Sequence, residues 1–277
     1  MRHGLSLFIL AGFLLGQGRN WDSHAALLLP VKRLEVGLFQ PSRYGVTEFL
    51  EVRSQPFLFL VFPNVSFKTG HKKVGNIRTA SVLGVYCPTP LLNIISKRGI
   101  GGLIDPNIDV PFLMGVSSSF IMTTTKYAMQ ISAKAGLDLG LSFEKVDDRL
   151  SIDLPMLYHR MEVFHNKWGI HLGFDVTKEL PKAFEVFFDF DLRLLPGAVN
   201  RGKASGYEMH YGNHSIEHKL LFIWNRTPRF RAMLGYKLVS GEYPYGSDIR
   251  ILPFIPMLEK WLPMFELQWS FGGENRN

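Results

Sequence analysis

From Met129 to Glu144 the chain alternates without interruption. Odd positions carry Met129, Ile131, Ala133, Ala135, Leu137, Leu139, Leu141 and Phe143. Even positions carry Gln130, Ser132, Lys134, Gly136, Asp138, Gly140, Ser142 and Glu144. Successive side chains of a β-strand point to opposite faces, so this segment has one apolar face and one polar face. A helix would smear both sets around its circumference, and the segment is read as a strand.

The period recurs. Trp168, Ile170, Leu172, Phe174 and Val176 oppose a face containing His171 and Asp175. Phe184 to Leu194 sets six apolar residues against Glu185, Asp189, Asp191 and Arg193. Phe230 to Leu238 opposes Arg231, Gly235 and Lys237, and Phe265 to Phe271 opposes Glu266, Gln268 and Ser270. Noisier strands are expected over Arg33–Gln40, Gly45–Arg53, Val65–Gly70, Ala80–Cys87 and Phe112–Thr123, with turn residues such as Gln40-Pro41-Ser42-Arg43 and Arg226-Thr227-Pro228 between strands.

Residues 1–25 read as a secretory signal. Arg2 and His3 precede the apolar run Leu5–Gly16, which falls short of the about 20 residues of a membrane helix. Ser23-His24-Ala25 is the first cleavage candidate and Gly16-Gln17-Gly18 the second. Residues 26–277 then form a single domain. The later apolar stretch Pro56–Pro63 is too short for a helical span and is bounded by prolines. In lipid every backbone polar group must be paired, so a membrane location implies a closed barrel. A soluble sandwich also alternates. The long apolar faces, the aromatic ends at Trp168, Trp224, Trp269 and Tyr236, the charged opposite faces and the signal favour an antiparallel transmembrane β-barrel.

With these features, and with the closing Phe265-x-Leu267-x-Trp269-x-Phe271, the sequence resembles the outer-membrane β-barrel proteins of Gram-negative bacteria. The resemblance is architectural and covers everything after the signal. It implies an outer-membrane location among membrane lipid and partnership with barrel-assembly machinery, while the loop cations Lys72-Lys73, Lys97-Arg98, Arg201 with Lys203 and Arg226 with Arg229 are the candidates to bind the phosphates of lipopolysaccharide. It also implies that Phe265, Leu267, Trp269 and Phe271 act as the assembly signal, although Gly272–Asn277 follow Phe271 where the family pattern ends on the aromatic residue. About 250 residues at about 20 per strand predict about 12 strands, with 10 as second choice. Pro88–Pro111 does not alternate and is read as a long loop with a short helix near Leu91–Lys97. A constriction or plug in the barrel mouth is the alternative for that loop.

The formal charge is +7, from 31 basic and 24 acidic side chains, but no concentrated basic helix points to nucleic acid. The presumed interior carries Lys134, Asp138, Asp175, Glu185, Asp189, Asp191, Arg193, Arg231, Lys237 and Glu266; with Glu144 its acidic residues outnumber its basic ones seven to four. An acidic lumen of this kind predicts cation preference in an open pore. Asp189 and Asp191 are expected to pair with Arg193 or Arg231.

Catalytic motifs are weak at the sequence level. His214-Ser215-Ile216-Glu217-His218 matches a zinc motif that needs helical spacing. On a strand the two histidines lie about 13 Å apart, too far for one metal. Ser215 and His218 have opposite parity, so Ser215 would need a cross-strand partner such as His171 or His210. One cysteine excludes a disulfide scaffold and thiolate metal sites. The expectation is a non-enzymatic barrel without metal or cofactor, a narrow channel or the membrane component of an envelope complex with protein partners. The alternatives are an outer-membrane hydrolase of lipid or lipopolysaccharide and a soluble periplasmic lipid-binding β-protein.

Overall fold

The computed structural model describes residues 24–97, 104–147, 150, 162–195, 203–204, 207–208, 214–243, 247–248 and 261–273. Residues 1–23, residues 98–103, Arg201 and His210 lie outside these.

Twelve antiparallel strands close into a barrel. They are β1 (Leu34–Gly37), β2 (Ser42–Gly45), β3 (Leu50–Ser54), β4 (Asn64–Gly70), β5 (Ile77–Tyr86), β6 (Leu113–Lys126), β7 (Met129–Ser142), β8 (Trp168–Leu180), β9 (Phe184–Leu194), β12 (His214–Thr227), β13 (Phe230–Tyr243) and β15 (Trp261–Phe271). The short strands β10 (Lys203–Ala204), β11 (Tyr207–Glu208) and β14 (Ser247–Asp248) belong to connections outside the wall. Each wall strand pairs with its neighbour in the chain, and β15 closes on β1 through Phe271↔Leu34 and Trp269↔Val36. Closure removes both sheet edges.

The strand parities expected for β7, β8, β9, β13 and β15 are those observed. Ser132, Asp138, Asp175, Glu185, Asp189, Arg231 and Glu266 are buried, whereas Ile131, Leu137, Leu172, Phe174, Leu234 and Phe265 are exposed. The first strands differ from expectation. Gly45–Arg53 is not one strand but the end of β2, a turn over 46–49 and most of β3. Their inward positions hold Arg43 and Glu51, joined by an ion pair.

Connections at the two ends differ in length. At the end holding the start of β1 and the end of β15, strands are joined by short turns, such as Tyr127-Ala128 between β6 and β7. Both turn residues have positive φ, 53° and 55°, the backbone of a two-residue hairpin whose twist suits the strands. At the opposite end lie 55–63 and, among the described residues of the connections β5–β6 and β7–β8, 87–97, 104–112, 143–147, 150 and 162–167. These long connections share an apolar core that includes Phe62, Leu92, Ile104, Ile108, Val146 and Phe164. The expected helix in the long loop is present as Thr89–Ile95, and Leu92 anchors it in that core. A second short helix, Glu162–Asn166, presses its backbone on β7. A Cβ at Gly140 would lie 2.3 Å from the Val163 carbonyl oxygen, so this inward position has no room for a side chain.

Candidate functional site

The barrel interior is built from three polar groups of side chains and one inserted segment. Residues 24–30 precede β1 and enter the lumen from the end where β1 begins. The Ala26 N–H donates to Thr123 Oγ1 at 2.8 Å, and the Leu29 N–H donates to Glu51 Oε2 at 2.9 Å. Lys68 Nζ donates to the carbonyl oxygens of Ala25 and Leu27. His24 stacks on Phe187 with ring centroids 4.8 Å apart. Burial first, and then the Lys219 ammonium, hold the His24 imidazole well below its usual range, leaving it neutral at pH 7. Cleavage after Ala25 would remove the His24 ring and leave the new amino group beside Thr123.

The first polar group lies under β1–β3. Arg43 bridges Glu51 at 2.8 Å and Glu35 at 3.0 Å. Arg33 also reaches Glu35, and Arg53 reaches Glu51 at 2.7 Å. The second group involves β15. Glu266 accepts the N–H groups of Leu38, Phe39 and Gln40 at 2.6–2.9 Å, so this carboxylate holds the β1–β2 turn. Arg231 donates to Gln268 at 2.7 Å. Glu185 accepts from Asn225 at 2.7 Å, and Asp175 is fully buried.

The third group crosses β6 to β13. Lys134 pairs with Asp189 and with Asp191, and Lys219 also reaches Asp189. The partners of the two aspartates are therefore lysines, where Arg193 or Arg231 was expected. Lys237 pairs with Glu217 at 2.8 Å, and Arg193 lies between Glu217 and Asp138 at 3.4 and 3.3 Å. At one edge of this group, His171 Nδ1 lies 3.1 Å from Asp138 and its Nε2 lies 2.9 Å from Ser119 Oγ. An ionised carboxylate only accepts, so Nδ1 is the donor to Asp138, and in the Nδ1-protonated tautomer of the ring Nε2 accepts from the Ser119 hydroxyl.

Register explains how these residues meet. Ser119, Gly136 and His171 form one row across β6, β7 and β8. β6 and β8 stand about 9.6 Å apart, and the imidazole crosses that gap over the bare Gly136. Asp138 is two residues farther along β7, on the same face. His171 is thus bonded to Ser119, 52 residues away, and not to Ser215. No local motif marks Ser119. The searchable sign was its parity on β6 together with a glycine facing a histidine.

The acidic excess read from the cleanest strands does not extend to the whole interior. Among the described residues, Arg33, Arg43, Arg53, Lys68, Lys134, Arg193, Lys219, Arg231 and Lys237 are inward and largely covered. They balance Glu35, Glu51, Asp138, Asp175, Glu185, Asp189, Asp191, Glu217 and Glu266, nine against nine. Glu144 is exposed beyond β7 and does not belong to the lumen. A cavity of about 330 Å³ remains between these groups, with His24, Ser119, His171 and Lys134 among its walls.

On the outer face, Phe265 and Phe271 are exposed on β15, and Leu267 and Trp269 are half-buried beside them. His218 is also outward, packed among Phe188, Tyr236 and Trp261. No group of three or more His, Cys, Asp or Glu is arranged to hold a metal among the described residues. Among the same residues no helix is long and apolar enough to cross a membrane. No protein-family model matches the chain, and no curated protein sequence is similar to it.

Proposed function

We propose that this chain is an integral membrane β-barrel of the outer-membrane type, exported to a bacterial outer membrane, with its lumen a chamber rather than an open pore. The observation that carries the reading is the inside-out placement of side chains. Leu83, Phe120, Leu137, Leu172, Phe174, Phe222, Leu234 and Phe265 lie within strands and are 40–63% exposed, while charged residues fill the interior. An apolar belt around the whole barrel far exceeds the patch of a few hundred Å² usual on a soluble monomer. Lipid would cover it. Aromatic residues at both ends of the wall support the same reading: Trp168, Trp261 and the Phe112–Phe143 pair at one end, Trp224, Phe184 and the Phe230–Trp269 pair at the other. The short turns at the end holding the start of β1 and the end of β15, and the long connections opposite, agree with that architecture.

The chamber reading rests on residues 24–30 at one end of the lumen and the apolar core of the long connections at the other. Passage of a solute, as a narrow channel requires, would need that segment to leave. In this reading β15 presents Phe265, Leu267, Trp269 and Phe271 to assembly machinery, and lipopolysaccharide and membrane lipid are the barrel's surroundings. A hydrolase is the second reading, favoured by the array of Ser119, His171 and Asp138.

Refolding into phosphatidylcholine vesicles tests the proposal. The expected result is retention after alkaline carbonate extraction, together with a quiet baseline in planar-bilayer recordings. Release by carbonate would overturn the membrane assignment in favour of a soluble lipid-binding β-protein. A stable open conductance would overturn the chamber.

A further inference from the structure

We propose that Ser119, His171 and Asp138 form a hydrolytic site for small carboxylic esters inside the barrel, a step that rests on the reading of the lumen as a chamber. Three observations carry it. The hydroxyl, the imidazole and the carboxylate are joined in series at 2.9 and 3.1 Å, the arrangement that activates a serine nucleophile. Ser119 and His171 face the cavity of about 330 Å³, while Asp138 lies behind the imidazole, where a group that orients the base belongs. And the ring is seated by its surroundings, over Gly136 on β7, with its cross-strand partner Arg193 reaching the same Asp138 oxygen that His171 Nδ1 meets.

The chemistry closes with water as the only co-reactant. Ser119 Oγ attacks the ester carbonyl carbon while its proton passes to His171 Nε2. The bond from that carbon to the alkoxy oxygen then breaks, and His171 returns the proton to the leaving alcohol. Water attacks the acyl-Ser119 ester with His171 again taking a proton. Ser119 leaves as the alcohol, protonated by His171, and the carboxylic acid is released. Asp138 steadies the imidazolium at both stages. Strand amides are committed to the sheet, so side-chain donors must balance the charge on the carbonyl oxygen. Lys134, two residues along β7 from Gly136, faces the same cavity.

The lining also limits the substrate. Among the described residues of the walls only Val82 and Ile121 are apolar, too little surface to cover a long acyl chain. Five cations, Arg53, Lys134, Arg193, Lys219 and Lys237, face it against three carboxylates. The site therefore suits a short acyl group, such as acetyl, on a small alcohol that carries a negative charge. A lipid hydrolase would need the opposite lining.

The test uses the full-length chain refolded in detergent micelles and in phosphatidylcholine vesicles, with a fluorophosphonate probe and two substrates, p-nitrophenyl acetate and p-nitrophenyl palmitate. Expected results are probe attached to Ser119 by peptide mass mapping and acetate cleaved in preference to palmitate. Both signals should be lost in Ser119→Ala. In His171→Gln the rate should fall by about a hundredfold or more. Asp138→Asn should lower the rate and shift its pH profile, a change that loss of packing would not produce. Folded wild-type barrel that takes no probe at Ser119 and cleaves acetate no faster than Ser119→Ala would overturn the site. Preference for palmitate would overturn the substrate class. Vesicle insertion is scored separately, so an active protein that fails to insert would sink the membrane reading and leave the hydrolytic site standing.

Discussion

The His171 imidazole occupies the space that a side chain at Gly136 would need: a Cβ built there would lie 2.4 Å from His171 Nε2 and 2.3 Å from the Ser118 carbonyl oxygen. Gly136 is thus the seat of the ring that bonds Ser119. Gly136→Val should push His171 off Ser119 and abolish ester cleavage and probe labelling. The overpacking should also cost about 1–3 kcal/mol of stability. Urea unfolding and labelling on the same sample check both effects; full labelling in this variant would show that the ring position is unimportant.

The outer face makes a depth-dependent prediction. Leu137 lies within β7 and is 40% exposed, with Ser118 and Ile170 as its strand partners. Leu137→Arg should destabilise the vesicle-inserted barrel by about 2–4 kcal/mol, whereas Tyr127→Arg in the turn should cost about 0–1 kcal/mol. Urea titration of the inserted protein, followed by tryptophan fluorescence, measures both. Equal costs would mean that Leu137 does not face lipid.

Glu51 holds Arg43, Arg53 and the Leu29 N–H. Removing a buried carboxylate leaves two guanidinium groups without its charge in a covered site. Glu51→Ala is expected to destabilise the barrel by about 3–5 kcal/mol. The same unfolding assay reads it, and a change under about 1 kcal/mol would show that water replaces the carboxylate there.

Lys68 ties residues 24–30 into the lumen through two carbonyl oxygens. Lys68→Met keeps the stem but loses the donors, and should let the segment leave for part of the time. Planar-bilayer recordings should then show brief openings absent from the unaltered chain. Deleting residues 24–30 should lengthen them. A silent deletion variant would place the barrier elsewhere, in the apolar core of the long connections.

Much of the wall was determined by the sequence alone. The alternation in Met129–Ser142, Trp168–Val176 and Phe184–Leu194 follows from covalent geometry, because a strand turns each successive side chain to the other face. Inward placement of Asp138, Asp189 and Arg231, and a count of about 12 strands, came from that local rule and from length. β1–β3 were blurred because four or five residues carry too few periods, and because their inward side chains are the paired charges Glu35, Arg43 and Glu51. Tertiary structure decided the rest. Strand register brings Ser119 to His171 across Gly136, charge pairing joins Asp189 to Lys134 and Lys219, and Glu266 captures the turn at Leu38–Gln40. Each of these contacts joins residues far apart in the chain, and periodicity along one strand carries no information about the register of the next. The same holds for residues 24–30: their backbone N–H and carbonyl groups meet Thr123, Glu51 and Lys68 on three separate strands that only the closed wall brings together.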